Sequence, residues 1–471
     1  MKINLLPLGP KTHEGGQGQR TTAEQELRRL VSACLLWEPT FYEPGEAAAG
    51  RIADVASRVR PEFVRDLALD ARSRLKLRHV PLLLLATLAE RGGLAASTVA
   101  SVIQRPDELA ELLAIYWRAG KKPLKQAIKK GMAEAFRRFD EYALAKYDRP
   151  GSVRLRDCLF LCHAKPKNQE QAELWKRLIA GTMTTPDTWE VTLSSRDGTD
   201  KLVKWERLLA ENRLGAMALM RNLRNMIEAG VSLSTLSTAI TDMTIDRVLP
   251  YRFIAAARYA TQLEPVLEQA MFKCLSTHPL LDHDTVLLID VSGSMDSVLS
   301  GKSDMTRIDA ASALAILVRE IASNVQVFTF SNHLVEVPPR RGFALRDAIK
   351  ASQPHAGTKL GKALSSLDLM NLRGVRLIVI TDEQTQDSVP AVSAKPAYIV
   401  NVATYQTGVA YDKFVHVHGW SEAIIDFIIE SEQIDTSGRD KEQQLAVPAP
   451  ASESARAQGL ILVEQQERAK S

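Results

Sequence analysis

Apolar residues recur at helical spacing over the first 275 residues, and almost no segment there alternates as a strand does. Leu27, Leu30 and Val31 form one apolar stripe, and Leu109 and Leu112 belong to another. Short breaks rich in Gly and Pro separate these stretches, at 91–93, 119–120, 148–151, 229–230 and 249–250. Many helices with short connections predict stacked helix pairs, an α-solenoid, rather than a single bundle.

The pattern changes near residue 284. Apolar runs rich in β-branched residues then alternate with helical stretches, which is typical of βαβ units around a parallel sheet. The predicted strands are 285–290, 325–330, 376–381 and 397–404, and the predicted helices include 309–322, 359–369 and 421–429. The expected fold class is a helical-repeat domain followed by a doubly wound α/β domain.

Composition adds boundaries and excludes a membrane protein. We expect a flexible N-terminal segment over 1–20, a helical domain over 21–280, an α/β domain over 284–432 and a polar, flexible tail over 433–471. Within the tail, the apolar run 460–463 is a candidate docking segment. No apolar run reaches the roughly 20 residues of a membrane helix, and the first residues do not resemble a signal peptide. We therefore expect a cytoplasmic location.

Four cysteines then belong to a reducing compartment: Cys34, Cys158, Cys162 and Cys274. Cys158 and Cys162 lie one helical turn apart and, with His163, could be metal ligands. Because no second cysteine pair lies nearby, the sequence favours core positions for both.

Positive charge is concentrated in one part of the chain. The net charge is +10 over residues 1–280 and −6 over the remainder, and residues 118–177 alone hold 16 basic against 7 acidic side chains. Lys122, Lys125 and Lys129 would share one face of a helix that Pro123 begins. Such lysines commonly form only a solvated surface, but their clustering favours a polyanion.

The candidate RNA-binding residues are Lys121, Lys122, Lys125, Lys129, Lys130, Lys146, Arg149, Arg156, His163, Lys165 and Lys167. His163 has two interpretations, because it lies near the predicted end of a helix before Pro166. It could hydrogen-bond the last helical carbonyls, or it could stack on an unpaired base beside Lys165 and Lys167.

Oxygen-bearing side chains follow three predicted strands or loops of the α/β part. The five residues are Asp290, Ser292, Ser294, Thr358 and Asp382. Since open α/β sheets bind ligands at the carboxyl ends of their strands, these oxygens suit a hard divalent ion, with Mg²⁺ expected. They could also serve only as helix and turn caps.

This pattern resembles the metal-ion-dependent adhesion site of von Willebrand factor A domains. The resemblance implies direct coordination by Ser292, Ser294 and Thr358, with Asp290 and Asp382 acting through water. It also implies a sixth position open to a partner's carboxylate.

Several segments of the helical half resemble the TROVE module of the Ro autoantigen family, and the order of the two modules is that family's own. They are FDEYALAKY (139–147), LRDCLFLCHAKPK (155–167), TWEVTLSS (188–195), GAMALMRNLRNM (215–226) and LPYRFIAAARYA (249–260). The bacterial orthologues are the most similar. The resemblance implies a monomeric ring of HEAT-like repeats, joined through the von Willebrand A-like module.

In that family, single-stranded ends of misfolded RNA enter the central hole, and a small noncoding Y RNA lies on the outer basic surface. Lys146 and His163 match positions on that surface, whereas Arg149 and Arg156 are included by proximity and charge. A degradative exoribonuclease is an implied partner.

We therefore expect a non-enzymatic RNA-binding scaffold in RNA quality control or processing, without catalytic residues. The alternative from another class is a metal-dependent adaptor that captures a partner carboxylate. A metal nuclease built on Asp290 and Asp382 is less well supported, because serine-rich coordination suits phosphodiester attack poorly.

Overall fold

The computed structural model describes residues 11–19, 21–33, 45–151, 153–184, 188–194, 198–245, 248, 250–276, 278–300, 303–403, 408–419 and 423–436. Cys34 and the apolar run 460–463 lie outside these residues. No described helix is long and apolar enough to span a bilayer.

The helical part of the described chain comprises sixteen α-helices. They are α1 Ala23–Ala33, α2 Gly45–Arg58, α3 Pro61–Ser73, α4 His79–Arg91, α5 Ala96–Val102, α6 Asp107–Tyr116, α7 Gln126–Phe136, α8 Glu141–Tyr147, α9 Leu155–Cys162, α10 Gln169–Ala180, α11 Trp189–Ser194, α12 Lys201–Ala210, α13 Ala216–Glu228, α14 Leu233–Asp242, α15 Pro250–Tyr259 and α16 Glu264–Leu275. A 3₁₀ turn, Thr261–Leu263, precedes α16.

These helices stack as the apolar spacing predicts. Helices two apart along the chain contact each other repeatedly, as in α2 with α4, α3 with α5, α5 with α7 and α7 with α9. This contact pattern is typical of stacked helix pairs. The approach of α7 to α5 is close, because a Cβ at Gly131 would lie 2.4 Å from Val99 Cβ. The prediction of helical repeats is confirmed.

The α/β part contains a six-stranded sheet and a small two-stranded sheet. Its strands are β1 Thr285–Asp290, β2 Val298–Ser300, β3 Ser303–Thr306, β4 Val325–Phe330, β5 Leu334–Val337, β6 Arg376–Thr381, β7 Ala397–Asn401 and β8 Val415–His418. Its helices are α17 Arg307–Ile321, α18 Gly342–Lys350, α19 Leu360–Asp368 and α20 Ala423–Thr436. A 3₁₀ turn, Gly293–Asp296, follows β1.

The large sheet has the order β5-β4-β1-β6-β7-β8. Only β5 is antiparallel to its neighbour, and the parallel strands β1, β6 and β7 are buried along their whole length. Because β1 and β6 are adjacent and parallel, Asp290 and the loop after Thr381 meet at the carboxyl edge of the sheet. The predicted doubly wound α/β fold is confirmed.

Residues 11–19 pack against the loop that follows β6, although the sequence predicts a flexible N-terminal segment here. The Thr12 hydroxyl donates to the Thr385 carbonyl (2.6 Å), and the His13 amide donates to Gln384 Oε1 (2.8 Å). A Cβ at Gly16 would lie 2.3 Å from the Thr385 carbonyl oxygen, so only glycine allows this approach. These hydrogen bonds join residues that are more than 370 positions apart in the sequence, so the local composition could not have predicted them.

The first and last helices of the helical part both contact the α/β part. Helix α1 contacts β8, and α15 and α16 contact α17. Arg258 of α15 forms an ion pair with the buried Asp309, which also pairs with Lys350 (3.2 Å). Charged side chains therefore fix α15 against α17.

Candidate functional site

Asp290 ends β1 at the carboxyl edge of the sheet, and its carboxylate is fully buried. Its Oδ1 accepts the Ser292 amide (2.8 Å) and its Oδ2 accepts the Thr381 hydroxyl (2.6 Å). The next turn of the backbone is thereby folded over the strand end, which places Ser292 and Ser294 beside β6.

Ser292, Ser294 and Asp382 form a continuous row of oxygen atoms. Ser294 Oγ donates to Asp382 Oδ2 (2.6 Å) and lies 3.3 Å from Ser292 Oγ. The loop carrying the buried Thr358 lies against this row, since the Gly293 amide donates to the Ala356 carbonyl (3.0 Å). The structure thus brings the five sequence-predicted metal residues to one edge.

The spacing of these oxygens suits a small divalent ion. Mg²⁺ takes six oxygens at about 2.0–2.1 Å, so neighbouring ligand oxygens in its octahedron are about 2.9 Å apart. The Ser292 and Ser294 hydroxyl oxygens lie 3.3 Å apart, close to that value, whereas the 2.6 Å between Ser294 Oγ and Asp382 Oδ2 is a hydrogen bond. No group of three or more His, Cys, Asp or Glu side chains suited to a metal occurs among the described residues, and the candidate donors at this edge are hydroxyls and carboxylates together.

Two neighbouring carboxylates, those of Asp290 and Asp382, place negative charge at this edge. Burial and the nearby Asp382 carboxylate together raise the pKa of Asp290 to about 7. A cation is the natural counterpart of such a pair.

Arg307 supplies a positive charge that the sequence analysis missed. It is the first residue of α17 and is buried, and its Nη1 donates to Asp382 Oδ2 (3.1 Å) and to the Ser294 carbonyl (3.3 Å). A cation at a helix N-terminus is opposed by the helix dipole, so the carboxylate must offset that cost. Its position beside Asp382 follows only from the folded arrangement of α17 and β6.

A second buried ion pair lies one residue beyond Asp382. Glu383 accepts a hydrogen bond from Arg29 of α1 (2.7 Å), and its other oxygen lies 3.3 Å from His416 Nδ1. Burial acts to raise the pKa of Glu383, but Arg29 and His416 outweigh it and lower the pKa to about 2. Tyr411 stacks on His416 with ring centroids 3.8 Å apart and accepts a hydrogen bond from Arg29.

The other candidate surface is formed by α7, α8, α9 and their loops, and we call it the basic surface. None of the eleven predicted RNA-binding residues is buried. Eight are exposed and three, Lys122, Lys129 and Lys146, are half-buried. Lys122 forms an ion pair with Glu90, and Arg156 lies 3.8 Å from Asp157. The remaining exposed cations include those of the loop after α9.

One detail of the sequence prediction is wrong. Helix α7 begins at Gln126, so Lys122 precedes the helix and Lys125 is its N-cap; of the three lysines expected on one face, only Lys129 is helical. Two hydrogen bonds hold the chain between Tyr116 and Lys125 instead. The Trp117 indole donates to the Lys122 carbonyl, and the Tyr116 hydroxyl donates to the Pro123 carbonyl.

The structure does bring distant cations together. Arg137, at the end of α7, donates through Nε to the Lys165 carbonyl (2.8 Å). Exposed aromatic rings, which the sequence analysis did not select, lie on the same helices: Tyr142 on α8 and Phe160 on α9. Lys146 Nζ lies 5.8 Å from the Tyr142 ring centroid. Tyr142 lies four residues from Lys146, and Phe160 lies four residues from Arg156. This helical spacing is the sequence signal that could have identified both rings.

The cysteine prediction is confirmed for the described residues. Cys158, Cys162 and Cys274 are buried, and burial raises the pKa of both Cys158 and Cys162. His163 is exposed and ends α9 with left-handed backbone angles, φ 53° and ψ 40°. The two thiols are therefore core groups, whereas the His163 imidazole lies at the surface.

Comparison with known families agrees with both halves of this architecture. Residues 171–302 match the model of the TROVE domain, and residues 285–384 match that of the von Willebrand factor type A domain. The chain is similar to both domains over these residues. The expected resemblance is thereby confirmed, although the TROVE match begins at residue 171, after all eleven predicted RNA-binding residues.

A solved structure shares the overall fold of the chain. The crystal structure of the Deinococcus radiodurans Ro (RSR) protein superposes with a TM-score of 0.61 and 17% sequence identity, over 86% of this chain and 98% of that one. No curated protein sequence matches the chain significantly. The von Willebrand A match contains all five predicted metal residues, from Asp290 to Asp382.

Proposed function

We propose that the chain is a non-enzymatic RNA-binding scaffold of the cytoplasm. One observation carries this proposal: all eleven predicted RNA-binding side chains are exposed or half-buried, and exposed aromatic rings lie among them. Clustered cations bind phosphates and release counterions, while aromatic rings stack on unpaired bases. The TROVE match and the Ro-like fold agree with this function.

The preferred RNA has both structure and an unpaired segment. We assign a small Y-like noncoding RNA to the basic surface and the single-stranded 3′ ends of misfolded RNA to a separate surface. This division suits RNA quality control, with an exoribonuclease as a partner that would consume such ends. The protein is expected to act as a monomer.

Two RNA probes test the proposal: a Y-like RNA and a single-stranded tail alone. Removing Lys146 and His163 together takes away a phosphate contact and a stacking group. We expect at least about tenfold weaker Y-like RNA binding, since one stacked base alone contributes about 1–3 kcal/mol. The tail should be affected less.

A matched control removes the same residue types elsewhere. Lys362 and His333 are exposed on the α/β part, and replacing both with Ala should leave either affinity unchanged. Equal losses for the two RNAs in the Lys146 and His163 variant would contradict separate surfaces. Failure of the wild-type protein to bind either RNA would contradict the function itself.

A second candidate function is favoured by the oxygen spacing at the carboxyl edge. We propose that Ser292, Ser294 and Thr358 hold Mg²⁺, assisted by Asp290 and Asp382, and that the domain captures a protein partner's carboxylate. A bound Mg²⁺ supplies an electrophilic position for that carboxylate oxygen. Calorimetry should detect Mg²⁺ binding that Asp290→Asn weakens; absence of binding to the wild-type protein at millimolar Mg²⁺ would contradict the site.

A further inference from the structure

A cavity of about 190 Å³ lies between α6 and the loop joining α8 to α9. The residues that line it include Arg105, Ala110, Tyr147, Arg149, Val153 and Leu155. At about 30 Å³ per water molecule, it has room for about six waters, and it is smaller than pockets for drug-sized ligands. Its size suits one planar ring system.

One wall of the cavity is a preorganised planar pair. The Arg105 guanidinium carbon lies 4.4 Å from the Tyr147 ring centroid. Arg105 is also held edge-on by Asp107, through Nε to Oδ1 (3.1 Å) and Nη2 to Oδ2 (2.8 Å). A guanidinium fixed in this way keeps its orientation without a ligand, and such planes bind bases by stacking.

The remaining walls separate an apolar interior from a basic rim. Leu155 is buried, and Ala110 and Val153 are partly buried against the core. Arg149 is exposed. A ligand that matches these walls has an aromatic ring joined to an anion, which is the chemistry of a nucleotide.

We propose that this cavity binds a single unpaired nucleobase of an RNA, with Arg149 contacting the adjacent phosphate. This inference rests on the proposed RNA-binding function and adds to it a contact with one base, where the other contacts are to the phosphate backbone. The cations of the basic surface hold the backbone, and the cavity selects RNAs in which a base is free to leave its helix. Stacking tolerates any base, because every base has a π-face.

Filling the cavity tests the proposal without changing charge. Ala110→Phe would occupy it from α6, whereas Ala114→Phe places the same ring on an exposed position one turn along the helix. Tyr147→Leu removes the stacking ring as a second route. The probe is a Y-like RNA hairpin carrying a single-adenosine bulge, together with a version that is abasic at the bulge, measured by fluorescence anisotropy with the full-length protein.

We expect Ala110→Phe and Tyr147→Leu to weaken the hairpin by at least about fivefold. We also expect them to abolish the loss that an abasic site causes in the wild type, while Ala114→Phe changes neither. If both cavity variants bound the hairpin with wild-type affinity and still lost affinity at an abasic site as the wild type does, the proposed base site would be overturned, while RNA binding itself would stand. A wild-type protein that does not bind the hairpin would overturn the proposed function as well.

Discussion

Arg29 of helix α1 and Glu383 of the loop after β6 form a fully buried ion pair, with Nη1 2.7 Å from Oε2. The two residues are 354 positions apart, and Glu383 directly follows Asp382 of the candidate metal edge. The pair therefore ties the start of the helical part to the loop that follows β6, which also carries the predicted metal residue Asp382.

Breaking this pair should destabilise the protein strongly. Arg29→Ala leaves the Glu383 carboxylate buried without its main partner, which typically costs about 3–5 kcal/mol. We expect urea unfolding to show a loss of this size, against a negligible change for Arg58→Ala, whose ion pair with Asp54 is exposed. A loss below about 1 kcal/mol for Arg29→Ala would show that the pair does not fix α1.

Glu383 also predicts an acid-sensitive stability. Its pKa in the folded protein is about 2, below the ordinary value of 4.5, so the unfolded chain takes up its proton first as pH falls. The stabilisation is present above about pH 4.5 and lost toward pH 2. The free energy of unfolding should fall less steeply with acid in Glu383→Gln over this window, and parallel curves would exclude Glu383 as a source of the pH dependence.

Arg307 should weaken divalent-ion binding at the candidate metal edge. Its guanidinium already neutralises part of the Asp382 carboxylate, and a metal ion at the same oxygens would be repelled by it. We expect Arg307→Gln to bind Mn²⁺ at least about tenfold more tightly by calorimetry, since one nearby like charge is removed. Arg341→Gln, at an exposed position, is the control. Unchanged or weaker Mn²⁺ binding in Arg307→Gln would mean that the arginine positions Asp382 instead.

His163 allows its backbone and its side chain to be tested separately. Its left-handed conformation costs a non-glycine residue about 1–2 kcal/mol, so His163→Gly should be at least as stable as the wild type in urea. The same variant should bind Y-like RNA more weakly, because the imidazole is gone. Undiminished affinity in His163→Gly would assign this residue a purely structural role at the end of α9.

The strands of the sheet were readable from the sequence because they are buried along both faces. Continuous apolar runs at 285–290 and 376–381 match β1 and β6 residue for residue. The short strands Leu334–Val337 and Val415–His418 carry no such run and were missed. Helix α17 begins two residues before its predicted start, since Thr306 and Asp309 form a capping box around Arg307.

The oxygen atoms of the metal edge were also predictable, because parallel strands bring their carboxyl ends together. The charges around them were not. Arg307 reaches Asp382 across 75 positions, and Arg29 reaches Glu383 across 354, so neither pairing leaves a local pattern. On the basic surface, composition identified the cations, but the cavity beside Tyr147 depends on how α6 and α9 pack.

The central claim is that the basic surface binds RNA through several phosphate contacts, and the salt dependence of RNA affinity tests it most directly. For about six neutralised phosphates, the logarithm of the association constant should fall against the logarithm of salt concentration with a slope near −5. A structured RNA with a single-stranded tail should give this slope with the full-length protein. A slope near zero, or no binding at physiological salt, would contradict the account.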